Sequence, residues 1–156
     1  MKFTLTAELL VPFIITNAVA ILILWLSFRK TNVAEGLLAV VFFGSAAFNI
    51  YVAFTDPSSY HSFATSTFSP VYQQFIKGFF ARHTTIIVST IAVGQLFIAI
   101  SMLLENLRFK IGCIGGFIFG LAIAPLGLGS AFPSTLILSL AFLVLFVRKE
   151  LSQTTA

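Results

Sequence analysis

Long apolar runs follow one another along the whole chain, and only short polar segments separate them. A run of about 20 apolar residues is what an α-helix needs to cross the roughly 30 Å hydrocarbon core of a membrane. Hydrophobic residues make up 58% of the chain and charged residues 9%, whereas soluble domains carry about 25% charged residues. The sequence therefore predicts an all-α integral membrane helical bundle, with residues 1–156 forming a single membrane domain.

The apolar runs predict five spans, at residues 9–28, 36–54, 84–104, 111–126 and 133–147. The alternative for the first run is a cleaved signal peptide, because Lys2 precedes it and Ala18-Val19-Ala20 resembles a cleavage site. The run continues through ILILWLSF, which favours an anchored N-terminal span over cleavage.

The last apolar stretch, residues 111–147, is too long for one span and short for two. Pro125, Gly127, Gly129 and Pro133 cluster in its middle, where helix propensity is therefore poorest. This composition favours two short spans joined by the loop GLGSAF, with one broken span as the alternative.

The basic residues predict an orientation. Six of them flank predicted spans on one side, namely Arg29, Lys30, Arg108, Lys110, Arg148 and Lys149, whereas Lys2, Lys77 and Arg82 fall on the other side. Because cytoplasmic flanks carry an excess of Lys and Arg, we expect the N-terminus outside and the C-terminus in the cytoplasm. The net charge of +4 then reflects topology and contact with anionic lipid, and not nucleic-acid binding.

The only sizeable loop, residues 55–83, is predicted on the outer face and contains two amphipathic interfacial helices, at about residues 57–64 and 70–82. In FSPVYQQFIKGFFARH the apolar residues recur every three or four positions. Ser69 and Asp56 each precede a proline, an arrangement typical of an N-cap followed by proline at the first helical position. We expect both helices to lie at the membrane interface.

Few polar residues are available for ligand binding within the predicted spans. No charged residue lies near the centre of any of them, which argues against a path for ions or protons. Asn49 and Gln95 are predicted to form hydrogen bonds between helices, or else to orient a ligand in a cavity open to the outer face. Asp56 is read first as a helix cap, and alternatively as part of a polar mouth with Tyr60 and His61.

The fourth predicted span carries a stripe of small residues at every fourth position, namely Gly112, Gly116, Gly120 and Ala124. Small residues at this spacing allow close approach of another helix, and packing within the bundle is favoured over homodimerisation. The single Cys113 cannot form a dithiol, and His61 and His83 lack the spacing of a ligand pair, so no metal site is predicted.

Several segments in order resemble the DoxX-like family of small integral membrane proteins. They are VVFFGSAAFNIYVAFTDPSSY, FSPVYQQFI in the following loop, the span VSTIAVGQLFIAISMLL, the basic turn LRFK and the glycine-rich GCIGGFIFGLAIAPLGLG, within residues 38–149. The resemblance implies a compact four-helix membrane bundle, to which the first span is an addition. Some members are associated with quinone-linked or thiol-linked oxidation, and the lone Cys113 argues against a direct thiol role.

We therefore predict a DoxX-like bacterial inner-membrane protein that is not an enzyme on its own. Its expected role is that of an accessory or lipid/quinone-binding module, with the lipid bilayer, a quinone and other membrane redox proteins as partners and no nucleic acid. One alternative is a subunit of a quinone-linked oxidoreductase with a borrowed cofactor, because the spans lack a haem-ligating histidine pair and the chain lacks a nucleotide motif. A small transporter is the other alternative, which the absence of buried charges disfavours.

Overall fold

The computed structural model describes residues 7–127 and 132–154, and every regular element in these ranges is helical. The predicted loop GLGSAF lies largely outside the described residues, as does Lys2. The five long helices are α1 (Ala7–Arg29), α2 (Thr31–Thr55), α5 (Thr84–Ser101), α6 (Asn106–Ile123) and α7 (Ser134–Thr154). Between α2 and α5 lie a 3-10 turn (Pro57–Ser62), α3 (Phe63–Ser66), α4 (Pro70–Phe75) and a π-helical turn (Ile76–Phe80), and a 3-10 turn (Ala124–Leu126) follows α6.

Charged and aromatic side chains bring four helix termini together at one end of the bundle, which we call the basic end. Lys149 near the end of α7 lies 3.8 Å from Glu35 of α2, and its ammonium group lies 4.9 Å from the centre of the Phe109 ring of α6. Lys110 pairs with Glu150, and the Arg148 side chain contacts the carbonyl of Phe28 at the end of α1. The helices α1, α5 and α7 thus run towards the basic end, while α2 and α6 run away from it.

The long helices form a ring in the order α1, α7, α6, α5 and α2, with α2 also packing against α1. The half of the ring near the basic end is filled by a single apolar core. The largest fully buried side chains of this core include Ile23, Leu38, Met102, Phe109, Phe142 and Leu145. Edge-to-face contacts of Phe42 with Phe119 and Phe142 tie α2 to α6 and α7.

Four segments of the described chain are long and apolar enough to cross a membrane, namely Leu10–Arg29, Thr31–Thr55, Thr84–Ser101 and Asn106–Leu126. The helix α7, which contains the fifth predicted span, is not among them. Its apolar part ends at Val147, so it is about 21 Å long, less than the roughly 30 Å of a hydrocarbon core. The described chain is therefore an all-helical bundle with four candidate membrane spans and a fifth long helix, whose apolar part is shorter, packed against α1 and α6.

Four of the five long helices extend beyond the predicted spans, and α2, α6 and α7 do so by five residues or more at one end. The helix α2 begins at Thr31, so that Lys30 alone separates it from α1. The helix α7 continues to Thr154, past the charged residues Arg148, Lys149 and Glu150 that follow the predicted span. Charges end the hydrocarbon segment but not the helix, because Lys149 and Glu150 both find ion-pair partners on neighbouring helices.

Residues 57–83 form a cap over the opposite end of the bundle. Thr67 Oγ1 donates a 2.6 Å hydrogen bond to the carbonyl of Pro125, which also accepts the backbone N–H of Phe68 at 3.0 Å. Ser66 donates to the carbonyl of Leu126 at 3.2 Å. The cap is therefore fastened to the turn that follows α6, and we call this the cap end of the bundle.

Candidate ligand cavity

A cavity of about 710 Å³ lies in the half of the bundle near the cap. All five long helices and the cap contribute to its wall. Most of the wall is apolar, and typical contributors are Val19, Phe48, Phe75, Ile91, Phe119 and Leu138. The volume lies within the roughly 300–1,000 Å³ of small-molecule sites, whose walls are also mainly hydrophobic.

Three polar side chains of the wall form one hydrogen-bonded chain. The Tyr60 hydroxyl donates to Asn49 Oδ1 at 2.7 Å, and Asn49 Nδ2 donates to Gln95 Oε1 at 2.7 Å. These residues come from the cap, α2 and α5 respectively, and the Gln95 side chain is buried. Burial raises the pKa of the Tyr60 phenol above its usual value near 10, so the hydroxyl keeps its proton at neutral pH.

The exposed residues of the cavity wall concentrate on α1 and α2. Ile15 is 56% exposed, Val40 68% and Phe48 64%, whereas Val88 on α5 is 2% exposed and Gly120 on α6 is buried. This distribution indicates that the cavity reaches the surface between α1 and α2. In a bilayer that surface faces lipid, because its exposed side chains are apolar.

Of the five candidate ligand-binding residues, the structure joins Asn49, Tyr60 and Gln95 but leaves Asp56 and His61 apart. Asp56 is exposed, and its Oδ1 accepts the Ser58 hydroxyl at 2.6 Å. Its side chain caps no backbone N–H, and the turn that follows is 3-10 and not α. The predicted N-cap at Ser69 is confirmed, since its side chain accepts from Tyr72 N at 3.5 Å.

His61 points away from the large cavity. Its Nε2 lies 3.0 Å from Thr84 Oγ1, and the ring borders a smaller cavity of about 280 Å³ together with Arg82 and His83. Tyr60 and His61 therefore serve different cavities, and the predicted polar mouth of Asp56, Tyr60 and His61 does not exist as one group.

The small-residue stripe of α6 lies in contacts within the chain. A Cβ atom added at Gly112 would overlap Ser101 of α5, and one at Gly116 would overlap the Phe142 ring of α7. At Gly120 it would overlap Ser139 and would lie 2.6 Å from the backbone carbonyl oxygen of Thr135. Ala124 is buried in the turn that follows α6.

The cap places aromatic side chains over the cavity, including Tyr72, Phe75 and Phe80, and this cover was not predicted from the sequence. The helical spacing of these residues predicts an apolar helix face, but it does not predict which part of the bundle that face covers. Thr135 was also not predicted, although it lines the cavity and its buried Oγ1 has no hydrogen-bond partner among the residues that the structure describes. A threonine at the start of an apolar helix gives no sequence signal for this placement.

Comparison of the chain with protein-family models, with curated proteins and with solved structures finds no match. The cavity itself is therefore the basis for inferring function. Among the described residues, no three His, Cys, Asp or Glu side chains cluster as a metal ion would require. The wall suits a largely hydrocarbon molecule with one polar group that can reach the amides of Asn49 and Gln95.

Proposed function

We propose that this protein is a membrane-embedded binding module that holds a lipid-like molecule with one polar group, such as a quinone, inside its helical bundle. The observation that carries the proposal is the cavity of about 710 Å³, whose apolar wall contains the chain Tyr60–Asn49–Gln95. An apolar ligand body would pack against this wall, and its polar group would reach the hydrogen-bonded chain, which a lipid tail cannot do.

The position of the two amides distinguishes ligand contact from simple packing. Amides that only hold helices together in lipid would be expected in a filled interface, with their polar atoms used by one another. Asn49 and Gln95 instead lie on a cavity wall, and within the described residues their hydrogen bonds use one N–H of Asn49 and none of Gln95. The remaining N–H groups are available to a bound molecule.

Access from the bilayer follows from the opening between α1 and α2. A molecule dissolved in lipid can enter between Ile15 and Val40 without crossing the polar surface of the membrane. The DoxX-like resemblance in the sequence supports a quinone as the ligand and membrane redox proteins as partners, with this chain as the accessory component. In that role the chain stores or presents the ligand and performs no chemistry alone.

Filling the cavity should abolish co-purification of the ligand. Gly44 lies on the cavity wall and Gly94 does not, and a Cβ atom at either position meets nothing within 4 Å. We expect Gly44→Phe to lower the recovered ligand at least tenfold, because the aromatic ring occupies the opening or the space behind it. Gly94→Phe is the matched control and should retain the ligand.

The measurement is mass spectrometry of lipids and quinones extracted from protein purified in mild detergent. An enriched molecule in the wild type and in Gly94→Phe, but not in Gly44→Phe, supports the binding module. No enrichment in the wild type over the surrounding membrane lipid, or equal enrichment in Gly44→Phe, contradicts it.

The orientation proposed for this module places the basic end in the cytoplasm of a bacterial inner membrane and the cap outside. It requires α7 to cross despite its short apolar part, by local thinning of the bilayer. We expect a reporter fused ahead of Met1 to lie outside and one fused behind Ala156 to lie in the cytoplasm. If both reporters lie in one compartment, α7 does not cross the membrane. If the reporter at Met1 lies in the cytoplasm and the one at Ala156 outside, the orientation is the reverse of the one proposed.

A further inference from the structure

The chain of hydrogen bonds from the cap to α5 has a defined direction. Within the described part of the structure, the Tyr60 hydroxyl makes one hydrogen bond, to Asn49, and the Gln95 side chain makes one, also to Asn49. Side-chain amides can be turned over by exchanging oxygen and nitrogen, so their geometry alone fixes no direction. A phenol, however, has a single proton to donate.

That proton determines the orientation of both amides. If Asn49 turned its amino group to Tyr60, the proton of the half-buried phenol would lose the acceptor it has in the described structure, which is unfavourable. The raised pKa of Tyr60 keeps the proton in place at neutral pH. Asn49 therefore accepts from Tyr60 through Oδ1, donates to Gln95 through Nδ2, and leaves Gln95 with its amino group unused.

The unused amino group lies deep in the bundle. Gln95 is roughly 16 Å along α5 from Thr84 at 1.5 Å per residue, and its side chain is 5% exposed and borders the cavity. Two N–H groups in a poorly solvated place attract an acceptor more strongly than they would in water. Most of the cavity wall around this amino group is hydrocarbon.

We propose that the cavity selects apolar molecules that carry a hydrogen-bond acceptor, such as a ketone or quinone carbonyl, and that Gln95 Nε2 donates to this acceptor. The inference rests on the proposed function, since it presupposes that the cavity binds a lipid-like molecule. Gln95 is then the residue that determines specificity, and Tyr60 positions it through Asn49.

The test uses two probes of nearly the same shape, benzophenone with a carbonyl between its rings and diphenylmethane with a methylene group there. Binding is read from the rise in unfolding temperature with probe concentration in detergent, at equal mole fractions of probe in the micelle. Cys113 is the single cysteine and is 1% exposed, so its reaction with a thiol-specific dye reports unfolding directly. We expect benzophenone to bind the wild type about fivefold more tightly, the value of one hydrogen bond.

The wild-type result alone separates the two proposals. Equal binding of both probes overturns the acceptor inference and leaves the binding module in place, whereas binding of neither probe overturns both. In Gln95→Met, which removes the donor at similar volume, the ratio should fall to about one while diphenylmethane binds as before. A fivefold preference retained in Gln95→Met would show that Gln95 is not the donor.

Tyr60→Phe tests the direction of the chain separately. Without the phenol proton, both amides can turn over, so that Gln95 can donate to Asn49 and present its oxygen to the cavity. We expect the preference for benzophenone to fall well below fivefold although Gln95 is intact. An unchanged preference would show that Tyr60 does not set the orientation of Gln95.

Discussion

Replacing Gly127 by alanine is expected to loosen the cap where it meets the turn after α6 and to destabilise the protein by about 3 kcal/mol, from backbone strain and steric overlap together. Gly127 has a φ of +88°, in a region that L residues with a side chain rarely adopt. A Cβ atom there would also overlap the backbone carbonyl of Ser66 in the cap. The overlapping group belongs to the backbone, so a change of side-chain rotamer cannot relieve it.

Three hydrogen bonds between the cap and the bundle lie beside this glycine. The carbonyls of Pro125 and Leu126 accept the hydrogen bonds of Thr67, Phe68 and Ser66. A shift of Ser66 away from the new methyl group would lengthen these bonds together. The cavity would then lose the aromatic cover that the cap provides.

Unfolding of Gly127→Ala is measured by dye labelling of Cys113, and loosening of the cap by limited proteolysis within residues 57–83. The matched control is Gly78→Ala, which lies in the cap where a Cβ atom meets nothing within 4 Å. This control should keep the wild-type unfolding temperature or exceed it, because alanine loses less conformational entropy than glycine in a helix. Wild-type stability and proteolysis in Gly127→Ala would contradict the role of the cap contact.

The helices were predictable from sequence because their signal is local and repeated. Apolar runs predicted each long helix, and the proline after Ser69 predicted where α4 begins. The ends of the helices were less predictable where ion pairs with helices distant in sequence stabilise the last turns. Thus α7 continues past Arg148 because Glu35 of α2 and Lys110 of α6 supply partners for its last turns.

The candidate site was predictable only in part. Asn49 and Gln95 could be singled out because an amide within an apolar helix needs a partner. Their pairing joins residues 46 positions apart, and no periodicity shows which helices are neighbours. The inward placement of Tyr60 and the outward placement of His61 depend on how the 3-10 turn packs against α5, which is again a tertiary effect.

Asp56 illustrates how competing local hydrogen bonds limit prediction. The pair Asp56-Pro57 and the pair Ser69-Pro70 carry the same capping signal. Only Ser69 caps with its side chain, whereas the Asp56 carboxylate binds the Ser58 hydroxyl two residues later. Ser58 is a donor that the Ser69 segment lacks at the equivalent position, where Val71 stands.

Replacing Gly120 by leucine is expected to separate α6 from α7 and to destabilise the protein by about 3 kcal/mol, the upper end for overpacking of a well-packed contact. The Ser139 hydroxyl, which a Cβ at Gly120 would overlap, donates to the carbonyls of Phe117 at 3.2 Å and Thr135 at 3.0 Å. A leucine side chain would displace this hydroxyl and overlap the backbone of Thr135.

The matched control for this variant is Gly94→Leu, the same substitution on α5 where a Cβ atom meets nothing within 4 Å. We expect dye labelling of Cys113 to show a lower unfolding temperature for Gly120→Leu and nearly the wild-type value for Gly94→Leu, with the same oligomeric state for all three proteins. If the glycine stripe instead joined two copies of the chain, Gly120→Leu would change the oligomeric state in detergent and leave the unfolding of the single chain unaltered. We expect the lower unfolding temperature with an unchanged oligomeric state, because Thr135 and Ser139, the residues that Gly120 contacts, belong to the same chain.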